Sequence, residues 1–350
     1  MRVEVVRPDD LGPSEAILWT KFQQLSIPTM SPFFSLTFAK AVARARSNAF
    51  VAVIQQHGNI GAFFPFELSK GRIARPIGWP MNDIHGFLRS NEPIDVIAAL
   101  RMAGLRAWTF DNALVSQPDL HAYSLRDLTF PSRYADLTNG YNSYFESRSK
   151  SVREGANRRQ RALVREVGEI SFEWNSSQPQ HLQELVEWKS AQYRRTGVAG
   201  DWNVFSNPSN IQIVRELAEA DNDDCSGVVS VLFANEIPIA MHLGMLGPGG
   251  LTGWFPTFRT EYGRFSPGTM LWFELAKCAV ERGVNRIDFG SGDYGYKRQL
   301  ATGSFELARG AVWTNRVESA GRKIAEPLIY GASKRLRLSK WSRLLPAKYK

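Results

Sequence analysis

Two stretches of this chain repeat one pattern at a distance of half its length. Ala49–Leu68 reads AFVAVIQQHGNIGAFFPFEL, and Gly227–Leu246, 178 positions later, reads GVVSVLFANEIPIAMHLGML. Each is a β-branched and aromatic run, a short turn and a second apolar run, which is the pattern of a β-hairpin. The turns are His57-Gly58-Asn59 and Ala234-Asn235-Glu236, and a helical stretch precedes each hairpin, Phe34–Ala45 and Ile211–Ala220. A spacing this long predicts two similar α/β halves rather than a short-period repeat.

The rest of the chain fits that plan. The first half continues with the loop GWPMNDIHGFL (Gly78–Leu88), a helix near Glu92–Ala103 and strands near Leu105–Phe110 and His121–Leu128. The second half begins with a strand at Ile170–Trp174 and a helix over Gln178–Arg195. After its hairpin come strand Leu251–Phe258, loop Arg259–Phe265, a helix, a strand and a last strand at Ser304–Thr314. The expected organisation is a first half over 1–145, a basic joint helix over 146–168, a second half over 169–318 and a basic tail over 319–350.

Charge is unevenly placed. Of a formal net charge of +9, the last thirty residues carry nine basic side chains against Glu326 alone, leaving the body near neutral. The basic isoelectric point is therefore a property of a tail, not of a chain-wide nucleic-acid surface. The tail reads as a solvated terminus or as a contact with an anionic membrane. Arg148, Lys150, Arg153, Arg158, Arg159, Arg161 and Arg165 against Glu154 make the joint either a solvated face or a binder of phosphates. Without a membrane-length apolar run or a signal-type N-terminus, and with only Cys225 and Cys278, the chain is expected in the cytoplasm without a metal site.

Residues Ser266–Lys297, SPGTMLWFELAKCAVERGVNRIDFGSGDYGYK, carry the chemistry. Ser266 suits an N-cap, Pro267 the first helical position and Gly283 the C-terminal cap. A helix start of this kind offers free N–H groups and a positive dipole end to a phosphate. Gly290, Gly292 and Gly295 also spell GxGxxG after a strand, the dinucleotide fingerprint. That reading needs a full βαβ unit, and the next glycine, Gly303, follows too soon.

The order of hairpin, strand, phosphate loop, helix and strand is that of the GNAT acyltransferase fold. The segment AMHLGMLGPGGLTGWFPTFRTEYGRFSPGTMLWFELAKCAVERGVNRIDFGSGDYGYK resembles the GNAT-like acetyltransferases of the CelD/BcsL cellulose-biosynthesis type, similar in turn to Fem-type transferases. The arginine-rich Tyr144–Gly168 resembles the linker of that family, whereas GWPMNDIHGFL carries Ile84 where the family commonly has an aromatic. The resemblance implies an α/β (α+β) fold of two tandem GNAT-like halves with mixed central sheets. It implies acyl transfer from acetyl-CoA or another acyl-CoA to a sugar or another intermediate of cell-envelope or exopolysaccharide synthesis. Carried onto this sequence, Arg259, Gly263, Arg264, Ser266, Pro267, Gly268 and Thr269 would hold the pyrophosphate.

The catalytic candidates are His242 as base, Asp83 from the first half, and Tyr296 and Lys297 at the end of the glycine-rich loop. His242 alternates with apolar Met241 and Leu243, so it faces away from them. Lys297 could neutralise an oxyanion or phosphate, and Tyr296 could protonate a leaving thiolate. Trp254 reads as a core residue or a wall of the pantetheine channel, and Asp288 as an anchor of its loop. Two rival readings stay open: Fem-like aminoacyl transfer from tRNA, and a degenerate fold serving as a membrane-associated scaffold.

Overall fold

The computed structural model describes residues 1–121, 124–198, 200–292 and 294–315. The basic tail expected over 319–350 lies outside the described residues. The first stretch supplies β1 (Arg2–Val6), α1 (Pro13–Gln23), α2 (Leu36–Ala45), β2 (Ala49–Gln56), β3 (Asn59–Ser69), β4 (Ile73–Pro76), β5 (Leu88–Arg89), α3 (Val96–Met102), β6 (Ala107–Leu114), α4 (Pro118–His121) and β7 (Ser124–Asp136). Helices α5 (Gly140–Glu146) and α6 (Lys150–Glu166) form the joint. The second stretch supplies β8 (Ile170–Glu173), α7 (Pro179–Thr196), α8 (Pro208–Ala218), β9 (Asp221–Asn222), β10 (Cys225–Ala234), β11 (Ile237–Gly247), β12 (Gly250–Phe258), α9 (Pro267–Glu281), β13 (Arg286–Ser291), α10 (Gly295–Leu300) and β14 (Gly303–Trp313).

Among the described residues, all fourteen strands belong to one mixed sheet, ordered β1-β2-β3-β4-β6-β14-β7-β13-β12-β11-β10-β8, with β5 against β3 and β9 against β10. The two halves exchange strands at its centre. Strand β14, the last described element, pairs with β6, and β7, from before the joint, pairs with β13. Outward from that exchange the halves repeat. The turn of β2–β3 places His57 and Gly58 at φ 50° and 82°, and the turn of β10–β11 places Asn235 and Glu236 at 49° and 65°. These are the left-handed conformations of a tight hairpin turn, and the 178-residue offset relates them position for position.

A second repeated feature governs the site. In each half one parallel pairing starts and then stops. Strands β4 and β6 pair only at Ile73↔Ala107 and Ala74↔Trp108; β12 and β13 pair only at Leu251↔Ile287 and Thr252↔Asp288. Beyond those two pairs the strands diverge and leave a V-shaped opening in the sheet.

Apolar layers cover both faces. On one face α1, α2, α7 and α8 pack against both halves, burying Trp19, Phe38, Leu185, Leu217, Met241 and Trp254 in one cluster. On the other, α9 places Leu271, Trp272, Leu275 and Ala279 against β10–β13. The joint helix α6 starts at Ser149, whose hydroxyl accepts the Val152 N–H, and buries Ala156 and Leu163 against this layer while Arg158, Arg161 and Arg165 face outward. Cys278 on α9 is only partly buried, unlike its neighbours Ala276 and Ala279.

Candidate active site

The two V-shaped openings have different contents. The first is closed by the chain's own backbone. The segment following β4 folds back so that the His85 N–H donates to the Asn112 carbonyl at 2.8 Å and the Leu114 N–H to the His85 carbonyl at 3.0 Å. Asn82 holds this loop from within, accepting the Ile84 N–H at 2.9 Å and donating to the Ile77 carbonyl at 3.0 Å. His85 is buried and its Nε2 lies 2.7 Å from Asp111 Oδ1. The second opening has no such backbone plug among the described residues.

The phase of the β11–β12 ladder shows what faces the second opening. The Arg259 N–H donates to the Ile239 carbonyl at 3.0 Å, and the register pairs Met241 with Thr257 and His242 with Pro256. Hydrogen-bonded and non-bonded pairs alternate along an antiparallel ladder. Arg259, Thr257 and Phe255 therefore point their backbone groups at β11, while Phe258 and Pro256 point theirs into the gap. Pro256, which has no N–H to leave unpaired, suits that position.

Lys189 of α7 fills the β12 side of the gap, its Nζ donating to the Pro256 carbonyl at 2.8 Å. The side chain is 8% exposed, and burial, aided by repulsion from Lys297, pulls its pKa down to about 7. No reading of the sequence singled it out. A signal was present: Leu182, Leu185, Val186, Lys189 and Tyr193 share the inward face of α7, so a lysine sits in an apolar stripe.

Lys297 of α10 holds the β13 side. Its Nζ donates to the carbonyls of Gly290 and Ser291 at 3.1 and 2.6 Å. Burial lowers its pKa, against the opposing pull of Asp83 and Asp288. Asp83 arrives from the first half on the loop that plugs the first opening, and its Oδ1 accepts from Ser291 Oγ at 3.0 Å. Burial raises its pKa, and Lys297 counters the rise. Gly290, at φ 73°, has no room for a Cβ, which would sit 2.3 Å from Asp83 Oδ2. Asp288 accepts the Gly290 N–H at 2.8 Å and so ties down the start of the glycine-rich loop.

His242 and Tyr296 lie on the α9 face. The His242 ring is fully buried, packs against Trp272 with centroids 5.1 Å apart, and neither nitrogen has a hydrogen-bond partner among the described residues. Burial depresses its pKa to about 3. A ring so placed is neutral and a weak base. Tyr296 stacks over the same Trp272 at 6.5 Å, and burial raises its pKa. Trp254 belongs to the core and donates its Nε1–H to the Met81 carbonyl at 2.9 Å, bracing the Asp83 loop.

The expected phosphate residues line the way into α9. Ser266 is the N-terminal boundary residue, but it does not cap the helix with its hydroxyl. It adopts φ 54°, ψ 54°, and only its carbonyl serves, accepting the Thr269 N–H at 3.0 Å. A serine with left-handed dihedrals turns its side chain away from the first-turn amides. Added Cβ atoms at Gly263 and Gly268 would meet only the Phe258 ring, at 3.8 and 3.6 Å, so both border open space. Arg264 pairs with Glu166 of the joint helix at 2.7 Å, and Arg259 lies over Trp188 and 3.9 Å from Glu261. Both arginines are partly exposed, and with the first amides of α9 they fit a pyrophosphate. The dinucleotide alternative lacks its frame: α10 has six residues, and β13 and β14 are both antiparallel to β7.

Residues 150–298 match the family described as the acetyltransferase (GNAT) domain. The matched residues run from the joint helix α6 to α10 and have the GNAT acyltransferase fold. No curated protein matches the chain significantly. Among solved structures, FemX is 12% identical over 88% of this chain and 96% of its own, with a TM-score of 0.56. A tandem GNAT protein from the clavulanic acid biosynthesis pathway is 9% identical over 90% and 99%, with a TM-score of 0.53. The C-terminal domain of a protein from Agrobacterium fabrum assigned as a lysylphosphatidylglycerol synthetase is 14% identical over 90% and 96%, also at 0.53. At these identities the likeness is one of fold, a two-lobed GNAT architecture.

Proposed function

We propose that this acyltransferase takes its acyl group from acyl-CoA, acetyl-CoA first among the candidates, and passes it to an amine or hydroxyl of a sugar or another cell-envelope or exopolysaccharide intermediate. The observation that carries the reading is the second V-shaped opening. It starts after Thr252↔Asp288, Lys189 stands on its β12 side and Lys297 with Asp83 on its β13 side, and Gly263 and Gly268 before and within the start of α9 border open space. The pantetheine would lie between β12 and β13, its pyrophosphate at Gly263–Thr269 beside Arg259 and Arg264. The acceptor would enter from the side of the Asp83 loop and the glycine-rich loop. The placement with the CelD/BcsL type, in the cytoplasm with the basic tail toward the membrane, belongs to the same proposal and rests on the sequence motifs.

Calorimetry with acetyl-CoA tests the donor. Gly268→Glu adds a carboxylate where an added Cβ has room, so the fold should persist while binding weakens at least tenfold. Undiminished binding by this variant, or none by the parent chain, would sink the donor assignment.

Fem-like transfer from aminoacyl-tRNA is the second reading, favoured by the likeness to FemX and the outward arginines of α6. It requires RNA binding that falls steeply with salt, about one power of salt concentration for each phosphate contacted. Salt-insensitive binding in a filter assay would remove it.

A further inference from the structure

We infer that Lys189 is the base that accepts the proton of the attacking acceptor and returns it to the leaving thiol. The inference rests on the acyl-transfer reading above and goes beyond it in naming a residue that no motif marked. Its ground is position: an amine buried from solvent, hydrogen-bonded to a carbonyl of β12 that the ladder phase turns into the opening, and close enough to Lys297 for the two charges to repel. In a neutral lysine, one N–H remains after the bond to Pro256 is made, and the lone pair is free to take a proton.

The surroundings keep this amine readily deprotonated. Lys297 on α10 repels its charge, His242 on β11 lies near it as a neutral ring, and Tyr193 on its own helix offers only a ring face, 5.4 Å away. Arg259, at the end of β12, sits over the neighbouring Trp188. The two nearby carboxylates, Asp83 and Asp288, act on Lys297 instead. The two lysines are thus divided in role. Lys297 is held by two carbonyls with Asp83 and Asp288 opposing the fall of its pKa, whereas Lys189 has a single carbonyl and cycles between amine and ammonium.

The step balances without another reagent. The acceptor nitrogen or oxygen attacks the thioester carbonyl carbon and forms a C–N or C–O bond. Its proton passes to Lys189 Nζ. The C–S bond breaks, and the ammonium gives that proton to the thiolate sulfur, so coenzyme A leaves as the thiol and Lys189 is an amine again.

The test uses the whole chain with acetyl-CoA as donor and hydroxylamine as a small probe nucleophile. Thiol release above the enzyme-free rate is followed from pH 5.5 to 9, beside calorimetric binding of acetyl-CoA. The wild type should gain about tenfold in rate per pH unit and level off near 7. Lys189→Met, which keeps the length of the stem, should lose at least a hundredfold in kcat and the inflection, with Kd for acetyl-CoA within twofold. Lys189→Arg keeps a donor to the Pro256 carbonyl but cannot give up its proton, so it should fail equally. Restored turnover in the arginine variant would show that Lys189 only braces β12 and would overturn the inference. An unchanged pH profile in the methionine variant, or wild-type binding with no thiol release, would do the same. No binding by the wild type would instead overturn the donor reading, and this inference with it.

Discussion

At the scale of single residues, burial decides which groups in the opening can change charge. His242 was the first base candidate because a lone histidine on a strand is conspicuous in a sequence. Its burial without partners costs it that role, since a ring with a pKa near 3 is too weak a base to take up a proton at neutral pH. The cost is measurable. Below about pH 6.5 the unfolded chain protonates this histidine and the folded chain does not, so stability should fall by about 1.4 kcal/mol per pH unit from there toward pH 3. His242→Phe should lose that part of the acid sensitivity, as shown by urea unfolding at pH 7, 5.5 and 4.5; equal slopes for both proteins would refute the assignment. The neighbouring Gly244 was silent in the sequence for a different reason. An added Cβ would lie 2.5 Å from the Thr252 carbonyl and 2.4 Å from the His242 ring, a crowding known only once β11 and β12 are paired. Gly244→Ala should destabilise by about 3 kcal/mol in the same assay.

At the scale of elements, hairpins and helices were legible because period and turn chemistry are local. Ala49–Leu68 and Gly227–Leu246 fold as hairpins with their turns where expected, and α7, α8 and β12 fall within a few residues of their expected places. The glycine-rich loop was legible as a loop, but its attachment to Asp83 was not, because that contact joins positions 208 residues apart. A network unreadable from sequence holds the Asp83 loop in place. Glu67 accepts from Arg46 at 2.5 Å and from the Gly78 N–H at 2.7 Å, and Arg46 also donates to the Trp79 carbonyl at 2.9 Å and bonds Asn210 on α8. Arg46→Met would leave the Glu67 carboxylate buried without its cation, at about 3–5 kcal/mol. Unfolding in urea should show that loss, and the Asp83 loop should become the first site of limited proteolysis. A variant with parental stability would mean that the pair is replaceable.

At the scale of the whole molecule, the exchange of β7 and β14 makes the two lobes one folding unit. A fragment beginning at residue 146 would lack β7, leaving β13 and β14 without the strand between them and β14 without β6. It should not give a cooperative thermal transition by circular dichroism, whereas the whole chain should unfold in one step by both far-ultraviolet and tryptophan signals. The repeat itself was readable from 178-residue self-similarity; the exchange was not, because nothing local marks a strand as belonging to the other lobe's sheet. The plug that closes the first opening has a last consequence, one of stoichiometry and of history. Two like lobes would ordinarily offer two donor slots, yet titration with acetyl-CoA should saturate at one per chain. The stretch Asn82–Gly86 that silences the first slot also delivers Asp83 to the second. Neither lobe can therefore drift alone: a change that reopened the idle slot would disarm the working one, and selection on one activity holds both copies in place.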